Sequence, residues 1–249
     1  MKALITGASS GIGADMARIL SDKGYDLILV ARRKTKLDKL KKELKTNVEI
    51  INMDISSTLN CIELYNKVKK ENIDILINNA GFGQFGEFNA TKIEKDLDMI
   101  DLNIKSVHTL TKLFLKDFKK KDSGYILNVA SSAAFMAGPL MSTYYATKAY
   151  VLRLTTAIYE ELRREKSNVH VSVLCPGPVD TEFNRVAGVK FSVKQLDSHT
   201  VASYAISQMF KKKLIIIPGN SVRLGVFFTR FIPLKPLLKI AYNFQEQKR

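Results

Sequence analysis

The sequence contains little cysteine and little histidine, and both shortages limit the chemistry available to the chain. Its two cysteines, Cys61 and Cys175, lie far apart and outside any Cys-x-x-Cys spacing. They predict neither a disulfide framework nor a zinc site, and they favour a reducing compartment. The three histidines are scattered, without the His-Glu-x-x-His spacing of a zinc-binding helix, so we expect no metal centre.

Long hydrophobic runs are also missing. No uncharged apolar run approaches the ~20 residues that a membrane-spanning helix needs. The apolar run in the first residues, MKALITG, is too short for a signal peptide. We therefore expect a cytoplasmic protein.

Positive charge is in excess. Among 249 residues there are 39 Lys and Arg against 24 Asp and Glu, a formal net charge of +15. Many lysines fall in the blocks 36–45 and 112–122, where apolar residues recur at helical spacing. Such blocks are typical of solvated helix faces, so we expect no nucleic-acid partner. The charge still favours anionic ligands, such as a phosphorylated cofactor or an acidic membrane surface.

Short apolar runs alternate with segments of helical periodicity through most of the chain. The runs lack polar alternation, which is typical of strands buried on both faces of a parallel sheet. Repeated strand–helix units predict an α/β fold, a doubly wound parallel sheet of about seven strands with helices on both faces. The predicted strands are 2–6, 26–31, 48–54, 74–80, 124–131, 170–176 and 214–218, and the predicted helices are 11–23, 34–45, 58–70, 91–119, 143–166 and 194–211.

No internal repeat or low-complexity linker interrupts this alternation, so residues 1–249 are predicted to form a single domain. Two segments depart from it. Residues 177–193 form a long connection after a strand, where loops that cover a ligand are usually found. The tail, residues 222–249, is apolar with basic residues at intervals.

A glycine-rich turn, TGASSGIG at residues 6–13, directly follows the first predicted strand. Its glycines at positions 7, 11 and 13 let the backbone approach a pyrophosphate and let a helix begin close to the strand. The free N–H groups at that helix N-terminus would point at the anion. Ala14 follows Gly13, which excludes a Walker phosphate loop. The turn therefore predicts a dinucleotide site.

The end of the second predicted strand bears on which dinucleotide is bound. NAD-binding chains usually carry an acidic residue there, which accepts hydrogen bonds from the ribose hydroxyls. Here Ala31 holds that position, and Arg32 and Arg33 follow. A guanidinium can hold a 2′-phosphate through paired, charge-assisted hydrogen bonds, which favours NADP(H) over NAD(H). The alternative is a pair of exposed arginines that open a helix.

The stretch TYYATKAY, residues 143–150, combines tyrosines with a lysine on one predicted helix. Tyr144 and Tyr145 precede Lys148 by four and three residues, so either phenol can share a face with the ammonium. At ~4 Å and an effective dielectric of about 20, the ammonium would lower the pKa of a tyrosine by up to roughly 3 units. This predicts an acid–base pair; the alternative is the polar edge of an ordinary helix.

Taken together, the motifs resemble the short-chain dehydrogenase/reductase superfamily. They are TGASSGIG, NNAG (78–81), DLNIKS (101–106), NVASSAAF (128–135), YxxxK (144–148) and PGPVDT (176–181). The residues of these motifs are similar to those of general bacterial short-chain oxidoreductases. The motifs follow the family's order from residue 2 to about 217. The resemblance implies a Rossmann-type fold and hydride transfer between a nicotinamide and a small-molecule carbonyl or alcohol. The tail matches no general motif of the family.

Carried over position by position, the resemblance implies a catalytic set and a cofactor site. Tyr144 would be the general acid or base, Lys148 its helper and Ser131 the group that orients the substrate. Asn103 would hold a water between Lys148 and solvent. Ser131 lies thirteen residues before Tyr144, which is the family interval and favours Tyr144 over Tyr145. The implied cofactor residues are Gly7, Ser9, Ser10, Gly11, Ile12, Gly13, Arg32, Asp54 and Ile55 toward the adenosine, Asn79, Ala80 and Gly81 beside it, and Tyr144, Lys148, Pro176, Gly177, Val179 and Thr181 toward the nicotinamide.

Other functions and contacts stay open beside the reductase. A redox sensor could bind NADP without catalysis, although a pure binder has no need of the catalytic set. The family usually forms homodimers or homotetramers through the helix at 143–166, where Ala149, Leu152, Thr156 and Leu162 lie away from the catalytic face. A flap or subunit contact is the favoured interpretation of the tail, and peripheral binding to a membrane, with a lipid-like substrate, is the alternative. Its mixed residues are Phe227, Phe228, Phe231, Leu234, Leu237 and Leu238 with Arg223, Arg230, Lys235 and Lys239.

Overall fold

The structure, a computed structural model, describes residues 1–189 and 195–247. The strands of this part are β1 (Lys2–Thr6), β2 (Asp26–Ala31), β3 (Val48–Asn52), β4 (Ile75–Asn78), β5 (Gly124–Val129), β6 (Val169–Leu174), β7 (Val179–Asp180), β8 (Leu196–Asp197) and β9 (Ile215–Ile216). Seven of them form a parallel sheet in the order β3-β2-β1-β4-β5-β6-β9, and β7 pairs with β8 separately. The predicted α/β sheet is confirmed, and the short β7–β8 pair is an addition that the sequence pattern did not predict.

Helices cover both faces of the sheet. They are α1 (Gly11–Asp22), α2 (Lys34–Glu43), α3 (Thr58–Val68), α4 (Ile93–Ile100), α5 (Val107–Lys120), α6 (Ser142–Arg164), α7 (Glu182–Ala187), α8 (Ser198–Phe210), α9 (Asn220–Phe228) and α10 (Leu234–Glu246). α1, α2 and α8 pack on one face, and α3, α5 and α6 pack on the other. Because strand side chains alternate, Ala3 and Ile5 contact the first layer and Leu4 the second. Burial on both faces explains why the strands lack polar alternation.

The predicted helix 91–119 is divided in the structure. A π-helix, Asp101–Ser106, joins α4 to α5. A π-helical turn holds more residues than an α-helical turn and so rotates the side chains that follow it. The rotation brings Asn103 into full burial. Turns of this kind recur at functional sites, and here it carries one of the predicted site residues.

The connection predicted at 177–193 contains a short helix. Thr181 caps α7 by accepting a hydrogen bond from the backbone N–H of Phe183 at 3.3 Å. The predicted helix 194–211 begins at Ser198 instead, because Asp197 caps it and accepts from Thr200 N at 2.8 Å. Residues 190–194, which comprise the end of the predicted loop and the first residue of the predicted helix, lie outside the described residues.

The tail folds into α9 and α10. Val226 and Ala241 are buried and attach the two helices to the body of the protein. Among the described residues, the helices are too short or too polar for any of them to cross a lipid bilayer.

One prediction about α6 is wrong in part. Leu152 and Leu162, which the sequence pattern assigned to a face for subunit contacts, are buried in the core of the chain itself. Ala149 and Thr156 remain half-buried at the surface. Leu152 and Leu162 are therefore unavailable to a partner subunit, and the oligomeric state stays a prediction.

The glycine-rich turn is packed directly against the segment that follows β4. A Cβ on Gly13 would lie 2.4 Å from Asn79 Nδ2 and 2.6 Å from the carbonyl oxygen of Gly7. Asn79 Nδ2 donates to the carbonyl oxygens of Thr6 and Gly7, both at 3.1 Å. Gly13 therefore has to lack a side chain, because α1 begins in contact with this amide.

The substitution Gly13→Ala is expected to lower the free energy of unfolding by about 1–3 kcal/mol, because backbone atoms must move to admit the methyl group. Chemical denaturation measures the change. Gly225→Ala is the matched control: it lies within α9, and a Cβ there meets no atom of the described residues within 4 Å. It is expected to be neutral or stabilising by roughly 0.5–1 kcal/mol. Equal stability of the Gly13→Ala variant and the wild type would contradict this account of the turn.

Candidate active site

The predicted catalytic residues meet at the carboxyl edge of the sheet. Ser131 follows β5, and Tyr144 and Lys148 lie on the first two turns of α6. The strand order reverses direction between β1 and β4, and ligands of doubly wound sheets bind in the crevice at such a point. The topology thus brings together residues that are far apart in the chain.

Tyr144 and Lys148 are both buried, with only 8% and 5% of their surface exposed. The Ser131 hydroxyl is near enough to the Tyr144 phenol to affect its pKa, and Ser131 Oγ accepts a hydrogen bond from Ala133 N at 3.1 Å. Lys148 Nζ donates to the carbonyl oxygen of Val129 at 3.0 Å and lies 5.9 Å from the centre of the Tyr144 ring. Tyr145 accepts a hydrogen bond from Gln245 on α10, and the choice of Tyr144 over Tyr145 stays a prediction.

Burial controls the protonation of this pair. It raises the pKa of the Tyr144 phenol above its ordinary value, although the nearby Ser131 hydroxyl acts in the opposite direction. It lowers the pKa of Lys148 to about 8. The expected lowering of the Tyr144 pKa by the ammonium is therefore wrong for this geometry. The loss of water around the phenolate has the larger effect when the amine points at a backbone carbonyl.

Asn103 is held by the loop after β4 and by α6. Its Nδ2 donates to the carbonyl oxygen of Phe82 at 2.9 Å and to Thr147 Oγ1 at 3.0 Å. Its Oδ1 accepts from Phe82 N at 3.1 Å. A Cβ on Gly81 would lie 2.9 Å from Asn103 Oδ1 and 3.2 Å from Lys148 Nζ. Asn103 therefore lies beside the Lys148 amine across Gly81, and its predicted hold on a water stays a prediction.

The N-terminus of α1 has the features of an anion site. Ser10 precedes the helix, and its side chain makes no capping hydrogen bond within the described residues. The first turn contains no acidic residue. Its N–H groups are therefore available to a phosphate at the positive end of the helix. These features fit the pyrophosphate of a dinucleotide.

The other predicted cofactor residues divide into a group at the crevice and a group that supports it. Thr6 Oγ1 accepts from the N–H groups of Asn79 and Ala80 at 3.0 and 3.2 Å, so this segment braces the glycine turn. Ile55 is buried in the second helical layer, and Ile12 packs against the first. Gly11 lies against Thr181, whose methyl group would be 3.0 Å from an added Cβ.

The remaining positions lie beyond β6: Pro176 accepts from Ser132 N at 2.8 Å, Gly177 packs on Val222, and Val179 is buried in β7.

The two arginines after β2 occupy different positions. Arg33 donates to Ser9 Oγ at 2.9 Å and to Ser10 Oγ at 2.8 Å, directly at the glycine turn. Arg32 has a highly exposed side chain and contacts Asp54 Oδ2 at 3.5 Å. The sequence analysis named Arg32 as the cofactor-binding arginine, whereas Arg33 is the one that contacts the glycine turn.

Glu182 is a residue that sequence reasoning missed. It forms ion pairs with Arg33 at 2.7 Å and with Lys36 at 2.5 Å, which lower the pKa of Glu182 to about 2. These pairs join α7 to the start of α2 across the crevice. No local signal marks Glu182, although it directly follows the predicted Thr181.

An apolar wall surrounds the Tyr144 phenol. The ring of Phe183 lies 5.3 Å from that of Tyr144, and the ring of Tyr145 lies 6.1 Å from it. Tyr144 belongs to a buried cluster with Met99, Met141, Ala187 and Val189, and the partly buried rings of Phe82, Phe85, Tyr145 and Phe183 pack against it. Such a wall excludes water from the reacting groups and offers apolar surface to a substrate.

The arrangement can protonate or deprotonate an oxygen in a site of low polarity. Tyr144 supplies the exchangeable proton, Ser131 a second hydrogen-bonding hydroxyl and Lys148 a cation behind them. Among the described residues, no cluster of His, Cys, Asp and Glu side chains is arranged to hold a metal ion.

Comparison with known proteins shows a family match and similar oxidoreductases. The short chain dehydrogenase family matches residues 1–189. An uncharacterized oxidoreductase of Staphylococcus epidermidis is 32% identical over 212 residues, which cover 83% of this chain and 90% of that protein.

Two solved structures are similar over most of their length. A short-chain dehydrogenase from Sphingobium yanoikuyae, in complex with NADPH, has a TM-score of 0.83 and 30% identity and covers 92% of this chain and 93% of its own. The bulky-bulky ketone specific alcohol dehydrogenase from Comamonas testosteroni has a TM-score of 0.79 and 29% identity, with 92% of each chain covered. The chain therefore belongs to the short-chain dehydrogenase family, the enzymes that interconvert alcohol and carbonyl groups.

Proposed function

We propose that this enzyme uses NADP(H) and acts on bulky, apolar ketones or the corresponding secondary alcohols, with Tyr144 as the general acid or base. The observation that carries the proposal is the set of buried Tyr144 and Lys148 with half-buried Ser131, together with an α1 N-terminus that no side chain caps among the described residues. The similarity to an NADPH complex and to a bulky-bulky ketone specific dehydrogenase supports the cofactor and the substrate class.

The raised pKa of Tyr144 suits the direction of carbonyl reduction. A phenol with a raised pKa stays protonated near neutral pH and can donate its proton when charge develops on a substrate oxygen. The Ser131 hydroxyl, close to the same phenol, would donate a second hydrogen bond to that oxygen and orient the carbonyl. NADPH, when bound, would supply the hydride to the carbonyl carbon.

Lys148 would return the proton that Tyr144 gives away. With a pKa of about 8, the amine is mostly charged at neutral pH and can also lose a proton readily. Its hydrogen bond to Val129 fixes the amine at the end of β5, behind the phenol. A new phenolate on Tyr144 would be stabilised by this nearby cation until it is protonated again.

The apolar wall supports a substrate with hydrophobic groups next to its carbonyl. Phe183 and Tyr145 flank the Tyr144 ring, and they come from α7 and α6 respectively. An apolar substrate would replace water along these rings and gain free energy from the burial of its own surface.

The preference for NADP(H) is argued from charge. Arg33 is held at the glycine turn by Ser9 and Ser10, and Arg32 is exposed and only loosely paired. A 2′-phosphate between these guanidinium groups would receive charge-assisted hydrogen bonds. Glu182, which pairs with Arg33, would compete with that phosphate for the same donors.

The first prediction concerns the acid. Tyr144→Phe is expected to lower kcat for carbonyl reduction by at least about a hundredfold, because the ring stays and the exchangeable proton is lost. Tyr145→Phe is the matched control, since it removes the neighbouring hydroxyl on the same helix, and it is expected to keep most of the activity. Steady-state kinetics on a panel of aryl and alkyl ketones measures both. Full activity of Tyr144→Phe would overturn the assignment.

The second prediction concerns the stability of the buried amine. Lys148→Met is expected to abolish activity and to raise the free energy of unfolding at pH 7 by roughly 1–3 kcal/mol, because it removes a buried charge that Met replaces in shape.

This gain depends on pH. The unfolded lysine keeps its proton up to its ordinary pKa of 10.5, whereas the folded one releases it near 8. Between these values the unfolded state binds more protons, so raising the pH stabilises the wild type and reduces the advantage of Met. Denaturation of both proteins at pH 7 and at pH 9.5 tests the sign. A gain that is constant or grows with pH contradicts the assignment of a lowered pKa.

The third prediction concerns cofactor choice. Arg32→Ala and Arg33→Ala are each expected to raise KM for NADPH by about tenfold and to change KM for NADH little. Glu182→Gln is expected to lower KM for NADPH, because it frees Arg33 and Lys36 from their carboxylate partner. Arg18→Ala is the matched control, since Arg18 pairs with Asp15 and Glu43. Equal use of NADH and NADPH by the wild type would refute the proposal.

A further inference from the structure

The outer side of α9 and the turn after it is unusually apolar. Phe227, Phe228 and Phe231 are 50%, 52% and 68% exposed, and Leu224 on the same side is also exposed. The ring of Phe227 lies 5.6 Å from that of Phe228 and 5.2 Å from that of Phe231. The three phenylalanines therefore form one continuous aromatic patch at the surface. Patches of this kind on soluble proteins usually mark an interaction site.

α10, the next helix of the tail, carries further exposed apolar residues together with positive charge. Leu234 and Ile240 are more than half exposed, whereas Ala241 and Gln245 are buried on the opposite side of the helix. Lys235 and Lys239 are one turn apart and exposed. The outer side of α10 is thus amphipathic, with apolar and cationic residues side by side.

The cations of this surface have no acidic partner among the described residues. Arg230, Lys235 and Lys239 form no ion pair there, whereas Arg33, Arg163 and other basic residues of the chain do. Glu246 is the one acidic residue in the sequence from 220 to 247. The surface therefore carries a local excess of positive charge next to exposed aromatic rings.

A flap over the substrate cleft does not account for this surface. The tail reaches the cleft through other side chains, with Val222 packed on Gly177 and Gln245 hydrogen-bonded to Tyr145. The phenylalanine patch remains exposed to solvent even though these contacts are made. The patch is therefore left for a partner outside the described chain.

A second copy of the chain is a poor occupant. A two-fold interface would pair this surface with itself, so Arg230, Lys235 and Lys239 would face a surface of the same positive charge. Like charges across an interface are unfavourable. An anionic lipid surface offers the opposite charge together with an apolar interior for the rings.

We propose that the exposed side of α9 and α10, called here the tail surface (residues 224–240), binds the surface of an anionic lipid bilayer. Phe227, Phe228 and Phe231 insert at the boundary between headgroups and acyl chains, and the cations contact the lipid phosphates. The protein is bound peripherally, since no described helix is able to span the bilayer. Gln245 attaches the same helix to Tyr145, so docking brings the membrane next to the apolar wall around Tyr144.

Flotation of the full-length protein with vesicles tests the proposal. One set of vesicles contains phosphatidylcholine alone, and the other contains equal parts of phosphatidylcholine and phosphatidylglycerol. The protein is expected to float with the anionic vesicles, to stay in solution with the neutral ones, and to dissociate as salt is added. Flotation and its salt dependence do not require catalysis, so the test is independent of the proposed reaction.

Two variants assign the binding to the tail surface. Phe227→Ser/Phe228→Ser/Phe231→Ser and Lys235→Glu/Lys239→Glu are each expected to weaken vesicle binding by at least about tenfold. The matched controls are Leu59→Ser and Lys69→Glu/Lys70→Glu, which change exposed apolar and basic residues at α3. Circular dichroism verifies folding, and the charge variant tests the surface by itself if the triple serine variant does not fold.

The proposal is overturned if the wild type stays in solution with anionic vesicles, or if the control variants lose as much binding as the tail variants. Sedimentation velocity tests whether a second copy of the chain binds the tail surface instead. A dimer that dissociates in the triple serine variant, together with no vesicle binding by the wild type, assigns the tail surface to a second copy and also overturns the proposal.

Discussion

The buried amine of Lys148 is the constraint on which the rest of the site depends. A charged group away from water is unfavourable unless polar atoms surround it, and here the carbonyl oxygen of Val129 accepts its hydrogen bond. Gly81 has to lack a side chain so that the amine and Asn103 can approach each other. The π-helix delivers Asn103 to that place. The π-helix, Gly81 and the end of β5 therefore together form the surroundings of the Lys148 amine.

The same burial decides how the phenol works. Next to the apolar rings of Phe183 and Tyr145, the phenolate of Tyr144 loses the stabilisation that water gives, and its pKa rises. A phenol with a raised pKa stays protonated and can therefore act as a proton donor. The wall that shapes the pocket therefore also sets the protonation state of the residue at its centre.

The nucleotide crevice is joined to the segment over the substrate by charge. Glu182, on α7, reaches Arg33 and Lys36 beside the glycine turn, and its neighbours Thr181 and Phe183 contact Gly11 and Tyr144. An anion that binds Arg33 must therefore affect a carboxylate on the helix that walls the pocket. The glycine turn and the wall around Tyr144 are thus linked through three consecutive residues.

Much of this organisation was predictable, because burial on both faces leaves unbroken apolar strands and because glycines mark a close approach of backbone. The predicted helix at 91–119 missed the π-helix, since apolar spacing does not resolve one inserted residue. Leu152 and Leu162 were assigned to a subunit-contact face, but they are buried in the core. Helix spacing shows which residues share a face, but it does not show which other element packs against that face. The expected pKa of Tyr144 failed for a related reason: a Coulomb term between two residues omits the water that folding removes.

The sequence by itself determined the alternation of strands and helices and the family. It also predicted the dinucleotide turn and the set of Tyr144, Lys148 and Ser131, because these predictions rest on spacing along the chain. Only the tertiary structure decided that Arg33 and Glu182 meet at the turn, that burial raises one pKa and lowers another, and that the phenylalanines of the tail remain at the surface. Those outcomes depend on which distant segments pack together and how much water they exclude, and spacing along the chain carries neither quantity.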